Sequence, residues 1–464
     1  MKNYEVVVIG GGPGGYVAAE EAAKYSQSVA IIENKYLGGT CLNTGCIPSK
    51  TLLRHSEVIE LMEKAKRWGI EYENFTISFE KMMKRKTKVV ESLRKGVESL
   101  LNQANVDIYN GTAVVHTNKQ ITIENPNGSE TISADRVIIA TGSRPAVPSI
   151  KGLDNVTYHT SDTIFDMESL PSSLVIVGGG VIGLEFACIF SALNVEVTII
   201  EMADGLIPGE DEEVAALISK ELKKKKVNIL TSSGVNEISE GDNGKLIRVK
   251  LSSGEHISIQ ADQVLIASGR KPNISAVSEL NLTMNGPFIA VNKQMKTSFP
   301  NVFAVGDVIG GWQLAHVASA EGIVAASNAC EIFKEVNYKA VPRCIYSSPE
   351  IASVGLTENE AQASGLPIRV EKFPLSASGK AMAMDERIGF IKLIVEETYG
   401  EILGVVMVGP HVTEIVTEAS SFILLEGTVN ELAELIHPHP TLSEGIWEAA
   451  RAWLHKKNTL VNLK

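Results

Sequence analysis

Two segments of the chain share one pattern of apolar runs, glycines and helix-forming stretches. The first begins YEVVVIGGGPGG at Tyr4, and the second begins SLVIVGGGVIG at Ser173. In both, a second β-branched run follows the helix-forming stretch and ends in an acid, Glu33 or Glu201. The distance from the first glycine to the acid is 23 residues in each copy. The pattern predicts two strand–helix–strand units, each part of a parallel sheet.

The glycine spacing of both segments is that of a dinucleotide-binding turn. A lone G-x-G-x-x-G is a weak signal, but here it follows a strand, opens a helix and precedes the acid, and it does so twice. The first glycine permits the tight turn, the second lets the backbone approach a pyrophosphate, and the third lets helix and strand pack closely. The helix N-terminus supplies N–H donors to the phosphates. The glycines concerned are Gly10, Gly12 and Gly15 in the first copy and Gly178, Gly180 and Gly183 in the second.

The two acids predict how each ribose is held. Glu33 and Glu201 are each expected to accept hydrogen bonds from a ribose diol. Because a carboxylate repels a 2′-phosphate, Glu201 favours NAD over NADP.

The remaining chain predicts an α/β protein of several domains. A helical, charge-mixed insert is expected from about Thr51 to Asn105, with short strands to about Ile139. Alternating strands and then helices after residue 341 indicate a separate α+β domain. The predicted domains are 1–145 and 146–273 for the two dinucleotide units, 274–336 for a central domain and 337–464 for the C-terminal domain.

Composition and charge restrict the function further. A net charge of −12 argues against a broad nucleic-acid-binding surface. Two basic runs, residues 81–88 and 223–226, are predicted as solvated helix faces or helix ends. No apolar stretch approaches the roughly 18 residues of a membrane helix, and no signal peptide precedes the first strand. We therefore expect a cytoplasmic protein, or a matrix protein without its targeting segment.

Five cysteines in a reducing compartment argue against a structural disulfide framework. Three of them, Cys188, Cys330 and Cys344, stand in apolar contexts and are expected to pack as small buried residues. Cys41 and Cys46 differ, because they lie in GGTCLNTGCIPSK, shortly after the ribose acid. The loop after the second strand of a dinucleotide fold lies near the pyrophosphate edge, so this pair can sit beside a bound cofactor.

The spacing of the pair makes a prediction about the backbone. In a regular helix, residues five apart are roughly 8–9 Å apart at Cα, beyond the span of up to about 7 Å of a disulfide. A disulfide between Cys41 and Cys46 therefore requires an irregular turn, which Gly45 and Pro48 favour. The alternatives are two inert thiols or half of a metal site, but zinc needs further clustered ligands and His55 is nine residues away.

Several independent motifs together resemble the dihydrolipoamide dehydrogenases, a branch of the pyridine nucleotide–disulfide oxidoreductase family. They are GGTCLNTGCIPSK, the paired glycine turns, VFAVGDV, YSSPEIASVG and HPHPTLSE. The likeness runs over essentially the whole chain. It implies a homodimer with two Rossmann-like domains, FAD-binding and NAD-binding, a central domain that completes the FAD site and an α+β C-terminal dimerisation domain. It also places tightly but non-covalently bound FAD beside the cysteines and NAD on the second unit.

The resemblance assigns roles to further residues. Asp307 would hydrogen-bond the ribityl chain of the flavin, Lys50 would lie near the flavin ring, and Glu185 would be the ion-pair partner of Lys50. In the segments VIIATGSRP, VLIASGRKPN and LAHVASAEG, further cofactor contacts are expected at Gly142, Gly269 and Ala315.

HPHPTLSE supplies the base in this family. His439 would be the catalytic histidine, which Glu444 orients, although Thr441-x-x-Glu444 is also a capping box; His437 is interpreted as structural. In the family this loop comes from the partner subunit. The sequence departs from the family pattern at Thr44, where valine is usual, and at Pro438, where alanine is usual.

The implied function is oxidation of protein-bound dihydrolipoyl groups with NAD⁺, through Cys41–Cys46 and FAD. The implied partner is the lipoyl-bearing protein of a 2-oxo-acid dehydrogenase or glycine cleavage complex. A glutathione-type reductase would carry basic residues near Glu201, and a mercuric reductase would carry a C-terminal cysteine pair, whereas no cysteine follows Cys344. A transhydrogenase without a disulfide and a catalytically inactive nucleotide-binding scaffold are the alternatives from other classes.

Overall fold

A computed structural model of the chain describes residues 1–242 and 244–462, with the backbone alone for residues 457–462. Its strands are β1 (Asn3–Ile9), β2 (Val29–Glu33), β3 (Asp107–Asn110), β4 (Thr112–Val115), β5 (Gln120–Asn125), β6 (Gly128–Ile139), β7 (Ser143–Pro145), β8 (His159–Thr160), β9 (Ser173–Val177), β10 (Glu196–Ile200), β11 (Asn228–Leu230), β12 (Gly234–Gly241), β13 (Gly244–Lys250), β14 (His256–Ala261), β15 (Gln263–Ile266), β16 (Arg270–Pro272), β17 (Met284–Asn285), β18 (Phe288–Ile289), β19 (Val302–Ala304), β20 (Arg343–Ile345), β21 (Glu350–Gly355), β22 (Ile368–Pro374), β23 (Phe390–Glu396) and β24 (Ile402–Gly409). Its α-helices are α1 (Pro13–Ala22), α2 (Gly39–Thr44), α3 (Cys46–Ala65), α4 (Phe79–Gln103), α5 (Val181–Ala192), α6 (Glu212–Lys224), α7 (Ala315–Ala329), α8 (Glu358–Ala363), α9 (Gly379–Ala383), α10 (Val412–Leu424), α11 (Val429–Glu434) and α12 (Glu444–Asn462).

The first repeated unit forms a largely parallel sheet with β1 near its centre. The strand order is β3-β2-β1-β6-β5-β4, and β19 also pairs with β6. Strand β1 is parallel to both β2 and β6, and every residue of β2 is buried. Burial on both faces is typical of parallel strands whose crossover is a helix, here α1. The carboxyl ends of β1 and β2 therefore lie side by side, which places Gly10 and Glu33 at one edge.

The second unit repeats this topology. Its strand order is β11-β10-β9-β15-β8, and all four pairings are parallel. Helix α5 joins β9 to β10 and is buried continuously from Gly183 to Phe190, because it packs against the sheet on one side and against α3 on the other. The structure confirms the predicted repeat.

The helical insert consists of α3 and α4 and begins earlier than predicted. Helix α3 starts at Cys46 rather than near Thr51, because the interruption at Gly45 makes the second cysteine its first residue. The basic run 81–88 lies within α4, and the run 223–226 lies at the C-terminal end of α6. Both positions agree with the predicted helix face and helix end. Among the described residues, no helix is long and apolar enough to cross a membrane.

The segment after the second unit returns to the first unit. Strand β19 pairs with β6, with Val302 opposite Val137, and α7 packs along α1. The two helices approach closely where Gly322 faces Gly14, since a Cβ on Gly322 would lie 2.4 Å from the carbonyl oxygen of Gly14. The first sheet is thus completed by residues far along the chain.

The C-terminal part is a separate antiparallel sheet with helices, as predicted. Its strand order is β20-β21-β24-β23-β22. Helix α10 packs on β21 and β24, and α12 packs on β22 and β23. The Trp453 side chain of α12 is fully buried in this core. The predicted α/β fold class is confirmed, whereas the predicted domain boundaries remain predictions.

Candidate active site

One cavity of about 1840 Å³ runs along both dinucleotide units. It exceeds the roughly 300–1,000 Å³ of an ordinary small-molecule pocket. Most of the predicted site residues line it, namely Gly10, Gly12, Glu33, Cys41, Cys46, Lys50, Gly142, Gly178, Gly180, Glu185, Glu201, Gly269, Asp307 and Ala315. Four predicted residues are not among the lining residues described: Gly15 and Gly183, which were expected to act in helix–strand packing, and His439 and Glu444.

The glycine turn after β1, which we call the first cradle (residues 10–15), has the geometry that only glycine permits. Gly10 has φ +101°, and a Cβ there would lie 2.3 Å from the carbonyl oxygen of Ala140. A Cβ on Gly15 would lie 1.8 Å from the carbonyl oxygen of Gly10. The Glu33 carboxylate accepts the backbone N–H groups of Gly11 at 2.7 Å and Lys35 at 2.8 Å. The turn and the acid thus form one hydrogen-bonded unit.

The second cradle (residues 178–183) repeats this arrangement. Gly178 has φ +117°, and a Cβ on Gly183 would lie 2.0 Å from the carbonyl oxygen of Gly178. The Glu201 carboxylate accepts the N–H groups of Gly179 at 2.6 Å and Ala203 at 2.7 Å. The 23-residue spacing therefore reflects the same three-dimensional unit in both copies.

Each cradle leaves room for a pyrophosphate. A Cβ built on Gly180 would meet nothing within 4 Å, and one on Gly12 would meet only the Cα of Gly39, at 3.9 Å. Both residues are the N-caps of helices, α5 and α1, and neither helix end has a side-chain cap. Free N–H groups and open space at a helix N-terminus are what a dinucleotide pyrophosphate requires. The residues present therefore fit two dinucleotides, one on each cradle.

The two cysteines lie on either side of a break between helices. Cys41 is in α2, Cys46 begins α3, and Gly45 between them has φ −138° and ψ −108°, outside the helical region. The irregular turn predicted from the spacing is confirmed at Gly45. Both cysteines are free in this structure.

The two thiols differ in acidity. A hydrogen bond from Cys41, followed by the positive charge of Lys50, lowers the pKa of the Cys46 thiol to about 7. The same hydrogen bond, together with burial, raises the pKa of the Cys41 thiol. Of the two sulfurs, Cys46 is therefore the one that loses its proton first as the pH rises. A thiolate is the reactive form of cysteine.

An ion pair joins the two dinucleotide units beside the cysteines. The Lys50 Nζ lies 2.8 Å from both carboxylate oxygens of Glu185, which is buried in α5. The predicted ion pair is confirmed. Tyr346, which the sequence analysis did not assign to the site, adds two contacts. Its N–H donates to Glu185 at 3.2 Å, and the Lys50 ammonium lies 4.6 Å from its ring centroid.

The carboxylate of Asp307, in the central segment, contacts one residue that follows each dinucleotide unit's last strand. It accepts a hydrogen bond from the Ser143 hydroxyl, and the Arg270 Nε lies 3.8 Å away. The sequence analysis quoted the segments that hold Ser143 and Arg270 but assigned neither residue. Their position in the sequence could have identified them, because each stands four residues after the end of β6 or β15, the strand that closes its dinucleotide unit. Ala315, eight residues after Asp307, is the first residue of α7.

His439 and Glu444 of the HPHP loop are not among the described residues that line the cavity with the cysteines. The His439 Nδ1 is 2.9 Å from Oε1 of Glu444, and the His439 side chain is 80% exposed. The other oxygen of Glu444 accepts the N–H of Thr441 at 2.7 Å. That bond, followed by His439, lowers the pKa of the Glu444 carboxyl. One carboxylate thus serves both expected purposes, as half of a capping box and as the partner of the histidine.

His437 has a different environment. Its Nε2 lies 2.7 Å from Oε1 of Glu418, its Nδ1 lies 3.1 Å from the carbonyl oxygen of Leu435, and its side chain is buried. Both ring nitrogens have partners within the chain, in agreement with its interpretation as structural.

Two dinucleotide cradles, a cysteine pair between them and an antiparallel C-terminal domain define a class of protein. Residues 4–322 match the family described as pyridine nucleotide-disulphide oxidoreductase, and residues 341–450 match the dimerisation domain of the same family. The chain belongs to this family. The enzyme class follows, an FAD-dependent oxidoreductase that uses FAD and NAD.

Comparison with individual proteins shows which members of this class the chain resembles. The chain is 42% identical over 463 residues to a dihydrolipoyl dehydrogenase of Bacillus subtilis, with 97% of this chain and 98% of the relative covered. It is 38% identical to a dihydrolipoyl dehydrogenase of Geobacillus stearothermophilus, with 97% and 96% covered. The resemblance drawn from the motifs is therefore confirmed. Among solved structures, the Cu(II) complex of a HOCl-induced flavoprotein disulfide reductase of Escherichia coli superposes with a TM-score of 0.88 at 29% identity, covering 97% of this chain and 100% of that one.

Proposed function

We propose that this chain oxidises protein-bound dihydrolipoyl groups to lipoyl groups and passes the electron pair to NAD⁺, as a dihydrolipoyl dehydrogenase does. The observation that carries the proposal is the position of the cysteine pair, in one cavity with both cradles and with unequal thiol acidities. The overall reaction converts dihydrolipoyl and NAD⁺ to lipoyl, NADH and a proton.

The thiol chemistry starts from the disulfide form of the pair. His439 of the partner subunit takes a proton from one dihydrolipoyl thiol. The resulting thiolate attacks the sulfur of Cys41, which breaks the Cys41–Cys46 bond and releases Cys46 as a thiolate. The second substrate thiol then displaces Cys41, which closes the lipoyl disulfide and leaves both cysteines reduced. When bound, FAD would supply the two-electron chemistry that connects the reduced cysteine pair to NAD⁺.

The charges around Cys46 support these roles. A leaving thiol is better when its pKa is lower, and the pKa of Cys46 is lowered to about 7 whereas that of Cys41 is raised. Lys50 holds positive charge beside the Cys46 thiolate, and Glu185 holds Lys50 in place from the second unit. On this proposal Cys46 would be the sulfur next to the flavin, and Cys41 would be the sulfur that the substrate attacks.

A homodimer follows from this assignment, because the base must come from a second copy. The exposed position of His439 supports this, and so does Ile436, whose 94% exposure leaves an apolar side chain in solvent beside the same loop. The proposed partner is the lipoyl-bearing protein of a 2-oxo-acid dehydrogenase or glycine cleavage complex, and the proposed location is the cytoplasm. We also propose the division 1–145 FAD-binding, 146–273 NAD-binding, 274–336 central and 337–464 interface.

A Cys46→Ser variant tests the proposal directly. Serine cannot form the disulfide, so dihydrolipoamide-dependent NAD⁺ reduction should fall by about a thousandfold or more. Cys330→Ser, which changes a cysteine outside the cavity lining, is the control and should retain wild-type activity. Near-wild-type turnover by Cys46→Ser would sink the scheme. Faster turnover of the wild type with NADP⁺ than with NAD⁺ would contradict the role given to Glu201.

A further inference from the structure

The side chain of Asn43 lies between the two cysteines in sequence and ties their segment together. Its Nδ2 donates to the carbonyl oxygens of Gly39 at 2.8 Å and Leu37 at 3.0 Å, with a longer contact to Tyr36 at 3.4 Å. These carbonyls belong to the turn that leads into α2 and to the first residue of α2, whose N-cap, Gly38, has no side-chain cap. Asn43 thus ties the C-terminal part of α2, the short helix that carries Cys41, to the turn at the N-terminus of the same helix.

Arg94 in α4 holds Asn43 in this orientation. Its Nε and Nη2 donate to the Asn43 Oδ1 at 3.1 and 2.8 Å, and its guanidinium lies 3.8 Å from the ring centroid of Tyr36. A guanidinium only donates and a carbonyl only accepts, so the amide of Asn43 can satisfy both sides in one orientation alone. Arg94 is partly buried by these contacts, whereas its neighbour Lys95 is exposed.

The same turn is packed on the first cradle. The N–H of Gly38 donates to the carbonyl oxygen of Gly11 at 2.7 Å, and a Cβ on Gly39 would lie 2.6 Å from the Cα of Gly12. The entry to α2 is therefore fixed on one side by the cradle and on the other by Asn43 and Arg94. The only irregular backbone between the two sulfurs is the break at Gly45, so the position of α2 sets the distance from Cys41 to Cys46.

We propose that Asn43 and Arg94 are a positioning pair that holds Cys41 within bonding reach of Cys46 and so sets the disulfide–dithiol equilibrium of the site. Neither residue is proposed to touch the reacting sulfurs. Without the pair, α2 can move on its hinge at Gly45, the effective concentration of one thiol at the other falls, and the disulfide becomes easier to reduce. The consequence for lipoyl turnover rests on the proposed function, but the equilibrium itself does not.

The test is a redox titration of the FAD-loaded protein with glutathione. The dithiol and glutathione disulfide exchange to the protein disulfide and two molecules of glutathione, and alkylation followed by mass spectrometry counts the reduced fraction. Arg94→Gln should lower the equilibrium constant for disulfide formation by about tenfold, which corresponds to about 30 mV in the two-electron potential. Lys95→Gln, a change of the same charge on the adjacent residue, should leave it at the wild-type value. Arg94→Lys should recover only part of the loss, because an ammonium cannot donate in a fork and stack on Tyr36 as well.

If Arg94 only stabilised the fold, replacing it would also impair reactions that do not use the disulfide. NADH-dependent reduction of ferricyanide, which needs both cofactors but not the disulfide, should be unchanged in Arg94→Gln. An Asn43→Ser/Arg94→Gln double variant should be no worse than Asn43→Ser alone, because the two residues act as one unit. Equal glutathione equilibria in Arg94→Gln and Lys95→Gln would overturn the inference. Failure of the wild type to oxidise dihydrolipoamide would instead overturn the proposed function, and the glutathione titration would still decide the role of Arg94.

Discussion

The first and second cradles have nearly the same backbone, yet they are enclosed differently. Gly10 and Gly178 take φ values of +101° and +117°, and each ribose acid accepts two backbone N–H groups within 2.8 Å. Around the first cradle, however, α7 packs on α1, β19 extends the sheet, and Gly39 at the start of α2 lies 3.9 Å from the position of a Cβ on Gly12. Around the second cradle, Gly180 faces open space, and Val181 at the start of α5 is 42% exposed.

We expect this difference to affect how firmly each cradle holds its dinucleotide. A dinucleotide on the first cradle would be held by chain segments that come from four different parts of the sequence. A dinucleotide on the second cradle would meet residues of the same unit, such as Val235 and Gly269, which line the cavity beside it. The proposed assignment of tightly bound FAD to the first cradle and exchangeable NAD to the second remains a prediction, which the variants below test. The same local motif serves two purposes because the surrounding tertiary structure differs.

The largest expected effect comes from Gly15→Ala and Gly183→Ala. The new methyl group would lie 1.8 or 2.0 Å from a carbonyl oxygen, so the backbone must shift, at a cost of about 1–3 kcal/mol or more. We expect Gly15→Ala to lose the flavin and to unfold at a lower temperature. Gly183→Ala should keep the flavin and lose NAD-dependent turnover. Flavin absorbance, thermal unfolding and NADH titration measure these outcomes.

Gly96→Ala is the matched control for both variants. Gly96 lies in α4, where a Cβ would meet nothing within 4 Å, so stability and flavin content should be unchanged or slightly increased. Equal loss of flavin from Gly15→Ala and Gly183→Ala would contradict the assignment of a resident cofactor to the first cradle alone.

A smaller effect is expected from Glu33→Gln and Glu201→Gln. An amide is a weaker acceptor than a carboxylate, and a hydrogen bond to a charged group contributes about 1.5–3 kcal/mol. Glu201→Gln should therefore raise the KM for NAD⁺ by about tenfold to a hundredfold at unchanged flavin content, and Glu33→Gln should reduce flavin content instead. Glu196→Gln, at an exposed position of β10, should change neither quantity. A raised KM in Glu33→Gln with full flavin occupancy would reverse the assignment of the cradles.

The smallest effect concerns the cysteine segment, which only the first unit carries. Lys50→Met removes the cation beside Cys46 and leaves the buried carboxylate of Glu185 unpaired. Both changes disfavour the thiolate, so the pKa of the Cys46 thiol should rise from about 7 by about one unit. The rate of Cys46 alkylation in the reduced protein, followed against pH, would show its midpoint move upward. Arg54→Met, one turn further along α3 and exposed, should leave the midpoint in place; an unmoved midpoint in Lys50→Met would exclude this role of Lys50.

Much of the site was predictable from short-range rules. The two cradles follow from glycine spacing after a β-branched run, and the break at Gly45 follows from the reach of a disulfide. Such features depend on a few neighbouring residues, so the sequence contains them directly. The predicted start of the helical insert near Thr51 was late, because the hinge at Gly45 lets Cys46 itself begin the helix.

Some contacts between distant segments were predictable, but only because the family resemblance supplied them. The others were not predictable from the sequence. The ion pair of Lys50 with Glu185 spans 135 residues and was expected from the resemblance alone. The contact of Arg94 with Asn43 and the position of Tyr346 beside Lys50 had no signal in the spacing of the motifs. They depend on how α4 and the C-terminal domain pack against the first unit.

The sequence by itself determined that this protein has two dinucleotide cradles, a cysteine pair beside the first and an acid that favours NAD at the second, because local backbone geometry requires those residues at those spacings. Only the tertiary structure decided that both cradles open into one cavity and that α7 and β19, from far along the chain, pack around the first cradle. These properties depend on the packing of segments hundreds of residues apart, which no local pattern encodes.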